Sequence, residues 1–409
     1  MCTFFNIKIV KQEELSVKAF YVDADWAPKP EYTLSEREER EKRGLRADFV
    51  YKNIRVGLRD VPVPTIKDDE VLIQIGACGV CGTDISSLKS QPDGYSVYAG
   101  HLKLPVVLGH EFSGEVVEVG KNVTSVRKGD LVAVEQMRWC GACRVCRGGL
   151  FNQCLNTDEA GLACDGGFAE FLAVEEKYCC VINDIAETLG SKMAALEAGA
   201  LAEPTCVAYA GMQVNAGGLK PGAHVAVFGV GPIGLASIAL ARAFGAAKIF
   251  AFNTNPARNQ LALAMGADYV YNPDELLKQG SSAGQVVMEQ TGGIGAGMIV
   301  EATGNFSKVF PEIMKCLGMG AKVVQLGIGS SPIVFDGNPL LRKGASIIGS
   351  LGHAGSDIYP SVLRLMAAGR IDMSKMVTAR YHLDQTQKAI EAFANRSLGH
   401  GKVLVSQHY

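Results

Sequence analysis

Excess charge of either sign is missing from this chain. Its 40 Lys and Arg against 42 Asp and Glu leave a formal net charge of −2 over 409 residues. A nucleic-acid surface or a patch for anionic membranes would need clustered excess Lys and Arg, so both partner classes are excluded. Long apolar runs are missing too. No window approaches the roughly 18 apolar residues of a membrane span, and the N-terminus, MCTFFNIKIVKQEEL, has no long apolar core after a basic start. A soluble, cytoplasmic protein is expected. Internal repeats and low-complexity linkers are absent as well.

What is present is ordinary globular composition, 48% apolar and 20% charged, at a length that suits two or three domains. The 47 glycines suit an α/β protein with many tight turns. Twelve cysteines without a secretory signal read as metal ligands and small buried hydrophobes rather than as bridges.

Four of those cysteines, Cys140, Cys143, Cys146 and Cys154, share the run WCGACRVCRGGLFNQC with gaps of two, two and seven residues. A disulfide across two intervening residues is short and strained. Four thiolates at this spacing instead converge on one tetrahedral zinc, with Zn–S near ~2.3 Å, in a closed site that is structural rather than catalytic. Cys2, Cys78, Cys164, Cys179, Cys180, Cys206 and Cys316 read as packing residues; Cys206, three places after Glu203, is only a weak candidate ligand.

The pattern along the chain changes twice. Residues 1–16 read as an appended arm, 17–23 (VKAFYVD) as a strand, and 33–48 as a charged, helical, solvated insertion. From residue 49 to about 180 short strands are split by Gly, Pro and Asp, among them 70–77, 113–120, 130–136 and 169–175, a barrel or sandwich pattern. After Pro204 apolar strands alternate with Ala/Leu-rich helices: HVAVFGVG, KIFAFN, DYVYN, MIVEATG, KVVQLGI and SIIGS make six strands in the rhythm of a doubly wound parallel sheet. A tail beyond about 351 carries helices near 358–368 and 384–395 and a last strand, GKVLVS.

Gly229-Val230-Gly231-Pro232-Ile233-Gly234 closes one of those strands and opens a helix, the context that makes G-x-G-x-x-G a dinucleotide signature. The first glycine permits the turn, the second admits the pyrophosphate, and the helix N-terminus receives its charge. About 20 residues on, NAD enzymes place a carboxylate on the adenosine ribose. Here Asn253 holds that place, with Arg258 one helical turn away. NAD and NADP both remain open.

A second set of metal-binding types is dispersed: Cys81 in CGVCGTD, His110 and Glu111 in LGHEFSGEV, and Glu203 in LAEPTCVA. A catalytic zinc takes about three such ligands and keeps one position open. Asp84 is placed to orient His110 from behind.

CGVCGTD, GHEFSGEV, the cysteine quartet, EPTCVAY and GVGPIG, in this order, resemble the zinc-dependent medium-chain dehydrogenase/reductase (alcohol dehydrogenase) superfamily over roughly residues 17–409. The pair Glu203-Pro204 is similar to its polyol and threonine dehydrogenase branch. DWAPKPEY, DGYSVYAG, MRWCGAC and GSLGHAG resemble cyclitol dehydrogenases of the scyllo-inosose 3-dehydrogenase type. The resemblance implies a GroES-like β-barrel catalytic domain over 1–205 and 351–409, with a structural zinc lobe at 136–156 and an insertion at 27–57. A Rossmann domain is implied over 206–350. It also implies two zinc ions per chain, NAD or NADP, and a homodimer or homotetramer. Cys81, His110 and Glu203 would hold the catalytic zinc, with Glu111 as the direct or exchanging ligand, and Thr83 would pass the alcohol proton. Many relatives carry a histidine five residues after the zinc cysteine as the outer relay step; this chain has Ser86 there. His353, and less readily His101, are the candidates to replace it.

The implied activity is hydride transfer between a secondary alcohol of a polyol or cyclitol and the nicotinamide, in either direction. A threonine- or sorbitol-type dehydrogenase with an acyclic substrate is the alternative within the class. A zinc-stabilised structural or binding protein without turnover is the alternative outside it.

Overall fold

The computed structural model describes residues 16–329, 332–334 and 336–409. All but the last residue of the expected N-terminal arm lies outside them. The first strand, Ser16–Trp26, pairs antiparallel with Tyr51–Pro62, and Val106–Val107 adds a third strand beside Tyr21 and Val22. The charged segment between the first two strands is not one solvated helix. It forms two short helices, Glu36–Glu41 and Ala47–Val50, broken where Lys42 adopts a left-handed φ of 47°. The reason lies in Glu38. Its buried carboxylate accepts from Ser35 N, Leu45 N and Tyr32 Oη at 2.9–3.0 Å, so it knots the segment onto the body instead of facing water.

A seven-stranded sheet carries most of the dispersed metal-binding residues. Its order is Cys179–Val181, Leu131–Val134, Glu111–Val119, Glu70–Gly79, Lys402–Ser406 and Val377–His382, with Phe171–Glu175 also paired to Glu70–Gly79. Near its end, Gly79 faces Glu111 on one side and Leu404 on the other. Residues two apart on a strand share a face, so Glu111 and Lys402 lie on the same face as Gly79. A Cβ on Gly79 would collide with the Glu111 carboxylate. The missing side chain is what lets Glu111 and Lys402 meet.

Three helices, Asn183–Leu189, Lys192–Ala200 and Ala202–Tyr209, then cross over this sheet. Small residues set the approach: a Cβ on Gly199 would stand 2.8 Å from Ser113 Cβ, and Leu196 covers the bare Gly76. The crossing places Glu203 on a buried helix face beside the strand that begins at Glu111.

The six-stranded sheet is parallel throughout, in the order Tyr269–Tyr271, Lys248–Phe252, His224–Phe228, Ala296–Glu301, Leu317–Gln325, Ser346–Gly349. These are the six strands expected from the alternation. Phe228 stands level with Phe252 and Glu301, so the glycine turn, Asn253 and Glu301 all lie at one carboxyl edge. No helix of the described residues is long and apolar enough to cross a membrane.

Phe250, wholly buried in the second of these strands, stacks on Tyr269 at 5.2 Å with ring planes 11° apart. Phe250→Ala should cost about 3–5 kcal/mol, seen as a lower thermal midpoint, with zinc content unchanged.

Candidate metal and cofactor sites

Cys81 lies two residues past the long central strand Glu70–Gly79 and caps the short helix Gly82–Ser87. Asp84 folds back to accept the Cys81 amide at 2.8 Å, which fixes the turn. Its other oxygen, Oδ1, lies 3.7 Å from His110 Nδ1, and both atoms are buried without a hydrogen-bond partner. With Nδ1 facing Asp84, His110 leaves Nε2 for the Cys81 side. Ligand atoms of Cys81, His110 and Glu111 lie within 4.8 Å of one another. Burial favours neutral His110, yet Cys81, Asp84 and Glu203 around it hold its pKa well above the ordinary value. The site therefore draws positive charge. A sulfur, an imidazole and a carboxylate that crowd together and raise the affinity for a cation fit a zinc ion.

Glu111 is already engaged: Lys402 Nζ donates to both carboxylate oxygens at 2.5 and 2.6 Å and to Val80 O at 3.0 Å. Burial pushes the Glu111 carboxyl toward protonation and Lys402 toward neutrality, and their mutual attraction opposes both. Glu203 is held from another direction. His353 Nε2 lies 3.0 Å and Gln136 Nε2 3.3 Å from its Oε1. Burial would raise its pKa, but the His353 bond and charge, with His110 and Lys402, bring it down to about 2. Glu111 is thus the carboxylate grouped with Cys81 and His110, while His353 sits behind Glu203.

His353 is fully buried, its amide donating to Met137 Sδ at 3.3 Å and its ring 5.1 Å from that of Tyr359. It reaches the cluster through Glu203 and has no face on solvent. Thr83 Oγ1 stands 3.8 Å from Cys81 Sγ, on the same helical turn. Ser86 Oγ turns back to Thr83 O at 3.0 Å. His101 is half-buried, and burial together with Arg43 lowers its pKa.

The sequence did not mark Lys402, Gln136, Tyr98 or Glu159 as site residues. Glu159 pairs directly with Met137 across a two-stranded ribbon, so it shares the face that looks at His353. Burial raises its pKa, and His110, Glu203 and His353 all act on it. The Tyr98 phenol feels Glu159, Cys81 and Asp84. No local motif flags such residues; each is brought in by a loop or ribbon from far along the chain.

The four quartet sulfurs also gather within 4.8 Å. Backbone amides serve them in turn: Cys143 N to Cys140 Sγ at 3.3 Å, Cys146 N to Cys143 Sγ at 3.4 Å, and Cys140 N and Asn156 N to Cys154 Sγ at 3.3 Å. The amide donors from Ala142 and Cys143 lower the Cys140 pKa to about 6, which favours the thiolate a metal needs. Four converging sulfurs with N–H donors behind them fit a closed zinc site.

In the glycine turn, Gly229 has φ +95° and a Cβ there would meet Ala302 O at 2.7 Å. A Cβ on Gly234 would overlap Gly229 O. Gly231 differs: a Cβ would meet only Arg258 Nη1, at 3.7 Å, so the approach over it is open. Val230 and Ile233 pack in the core around the turn, and Pro232 begins the helix Pro232–Ala243. This cradle fits a pyrophosphate on a helix N-terminus.

Two outcomes distinguish the metal clusters. Cys143→Ser should lose one zinc per chain by elemental analysis and lower the thermal midpoint, because a structural zinc contributes folding energy. Cys81→Ser should lose the other ion with the fold retained.

Known proteins resemble the chain in both halves. Residues 67–184 match the alcohol dehydrogenase GroES-like domain family, and residues 232–368 the zinc-binding dehydrogenase family. Scyllo-inosose 3-dehydrogenase of Thermotoga maritima is 35% identical over 386 residues, 92% of this chain and 96% of that protein. L-threonine 3-dehydrogenase of Caldanaerobacter subterraneus subsp. tengcongensis is 34% identical, over 82% of this chain and 92% of that one. A solved Thermotoga maritima structure, provisionally assigned as an alcohol dehydrogenase, superimposes with a TM-score of 0.91 at 34% identity, covering 96% of this chain and all of the other. With the parallel sheet, the glycine turn and the two ligand clusters in place, the chain belongs to the zinc-dependent medium-chain dehydrogenase/reductase family and is an NAD(P)-linked alcohol dehydrogenase.

Proposed function

We propose that this enzyme oxidises one secondary carbinol of a cyclitol or closely related ring polyol to the ketone, and runs the same reaction in reverse. The observation that carries the chemistry is the convergence of Cys81, His110 and Glu111 within 4.8 Å. The ring substrate is supported by the likeness to scyllo-inosose 3-dehydrogenase across 92% of the chain. Glu159 and Tyr98 beside the cluster add support, since a carboxylate and a phenol suit hydroxyls flanking the reacting carbon.

In this reading residues 206–350 bind the dinucleotide and the remainder holds the substrate. Cys81, His110 and Glu111 would hold the zinc, which would supply the Lewis acidity that lowers the substrate hydroxyl's pKa, and a bound nicotinamide would supply the hydride acceptor. Thr83 takes the hydroxyl proton as the C–H hydrogen leaves with its electron pair; the C–O single bond becomes the carbonyl. Asp84, on the Nδ1 side of His110, leaves Nε2 as the nitrogen that would hold the metal. Ser86, bonded to Thr83 O, anchors the relay turn, and the proton leaves by water or ribose hydroxyls. His353 acts on Glu203 as a positioning residue, with Glu203 poised as the carboxylate that exchanges with Glu111.

Thr83→Val should lower kcat by about 10²–10⁴-fold while zinc content and nucleotide binding stay at the wild-type level. For the substrate class, reduced nicotinamide is followed with inositols, inosamines, sorbitol and L-threonine. Turnover of the ring compounds at higher kcat/KM than of sorbitol or threonine is expected. Preference for an acyclic compound would replace the ring reading, and no turnover of any would favour a binding role.

A further inference from the structure

The run that leads into the first quartet cysteine also touches the segment that delivers His353. Residues 350–357 join the last parallel strand, Ser346–Gly349, to the helix Ile358–Ala367, and His353 lies in their middle. The imidazole has one polar anchor of its own. Nε2 meets Glu203 Oε1 at 3.0 Å, but Nδ1 is buried with no hydrogen-bond partner. The backbone of this segment, with the Tyr359 ring 5.1 Å away, therefore decides where the ring stands.

That backbone is held by the quartet lobe. Just before Cys140, three consecutive residues reach the surroundings of His353. Glu135 Oε1 accepts the Gly355 amide at 3.0 Å, while its Oε2 accepts the Trp139 indole N–H at 3.3 Å. Gln136 Nε2 donates, at 3.3 Å, to the same Glu203 oxygen that His353 meets. Met137 Sδ accepts the His353 amide at 3.3 Å. From the other side of the lobe, Asn152 Nδ2 donates to Leu351 O at 2.9 Å. The long gap between Cys146 and Cys154 supplies that reach, since it holds the turn Phe151–Gln153.

Glycine makes the fit. Gly352 and Gly355 bracket His353 and Ala354, and both are left-handed, with φ of 65° and 63°. A Cβ on Gly352 would stand 2.6 Å from Met137 Sδ, and one on Gly355 would run into the Phe151 ring. Trp139 joins the two sides of the lobe, its ring 4.8 Å from that of Phe151. Glu135 is the hub. It is buried, and hydrogen bonds from amide and indole donors to a buried carboxylate are strong and directional.

We propose that the quartet lobe is a positioning device for the cluster at Cys81: Glu135, with Met137 and Asn152, fixes the 351–355 backbone and so holds His353 on Glu203. The quartet then serves turnover at a distance as well as stability. The inference rests on the dehydrogenase reading only for its effect on rate.

The test uses zinc-loaded protein with 15N-labelled histidine, of which the chain has seven. His353→Gln identifies the His353 ring resonances by their loss. Glu135→Ala and Asn152→Ala should each shift or broaden those resonances, with zinc content at the wild-type level. On the inositol or inosamine that wild type turns over best, kcat should fall about tenfold with KM little changed. Glu135→Gln, which keeps an acceptor for the Gly355 amide, should restore both. A lobe that only stabilises the fold would lower the thermal midpoint and leave the His353 resonances in place; that result in both alanine variants overturns the proposal. Shifted resonances with kcat unchanged overturn it too. Wild type that turns over no alcohol sinks the dehydrogenase reading instead, and the resonances then decide the positioning role alone.

Discussion

The contact on which this architecture turns is the ion pair between Glu111 and Lys402, 291 residues apart and both buried. It exists because Gly79 has no side chain between them. The two charges cost several kcal/mol each to remove from water, and neither can be lost singly without stranding the other. That cost is met only if the last strand lies in register against the strand that leads to Cys81. The C-terminal tail is thus bound to the metal cluster by electrostatics as well as by sheet hydrogen bonds. The same tail then docks on the parallel-sheet half, where the backbone oxygen of Arg396 accepts from Asn255 Nδ2.

The architecture divides its labour along these lines. Strands and small-residue helices bring side chains from four separate stretches, 81–84, 110–111, 203 and 353, together. The cysteine quartet needs only the fifteen residues from Cys140 to Cys154 and their neighbouring backbone amides. A locally closed cluster can stabilise a lobe whatever happens elsewhere. A cluster assembled from distant strands depends on the whole fold.

Much of this was legible in the sequence, for specific reasons. The six parallel strands announced themselves because each is an apolar run bounded by glycine or a polar turn. The glycine turn and the quartet are contiguous, so spacing alone carries their chemistry. Gly229 and Gly234 do what their positions in the motif suggest, and Gly231 leaves the approach open. The charged segment near residue 38 misled, because a capped acidic helix start and a buried, fully bonded carboxylate have the same residue pattern. Lys402 was illegible for a related reason: nothing in GKVLVS marks its lysine, and only the register against Gly79 turns it inward. Glu159 and Tyr98 lie on a ribbon and a loop whose path no periodicity encodes.

Charge balance explains why the cleft is built as it is. Asp84, Glu111, Glu159 and Glu203 converge there with the Cys81 sulfur, and burial pushes Asp84, Glu111 and Glu159 toward protonation. Lys402 offsets one of them. His353 keeps Glu203 ionised at a cost in desolvation, and the raised pKa of His110 shows that the remaining field still seeks a cation. Protonating His110 would answer that demand but would remove the nitrogen lone pair that a metal uses. A divalent ion would answer it better, since Cys81, His110 and a carboxylate could hold it together while Asp84 stays on the Cys81 amide and beside His110 Nδ1. The excess of buried acids is therefore the feature that suits this cleft to a cation.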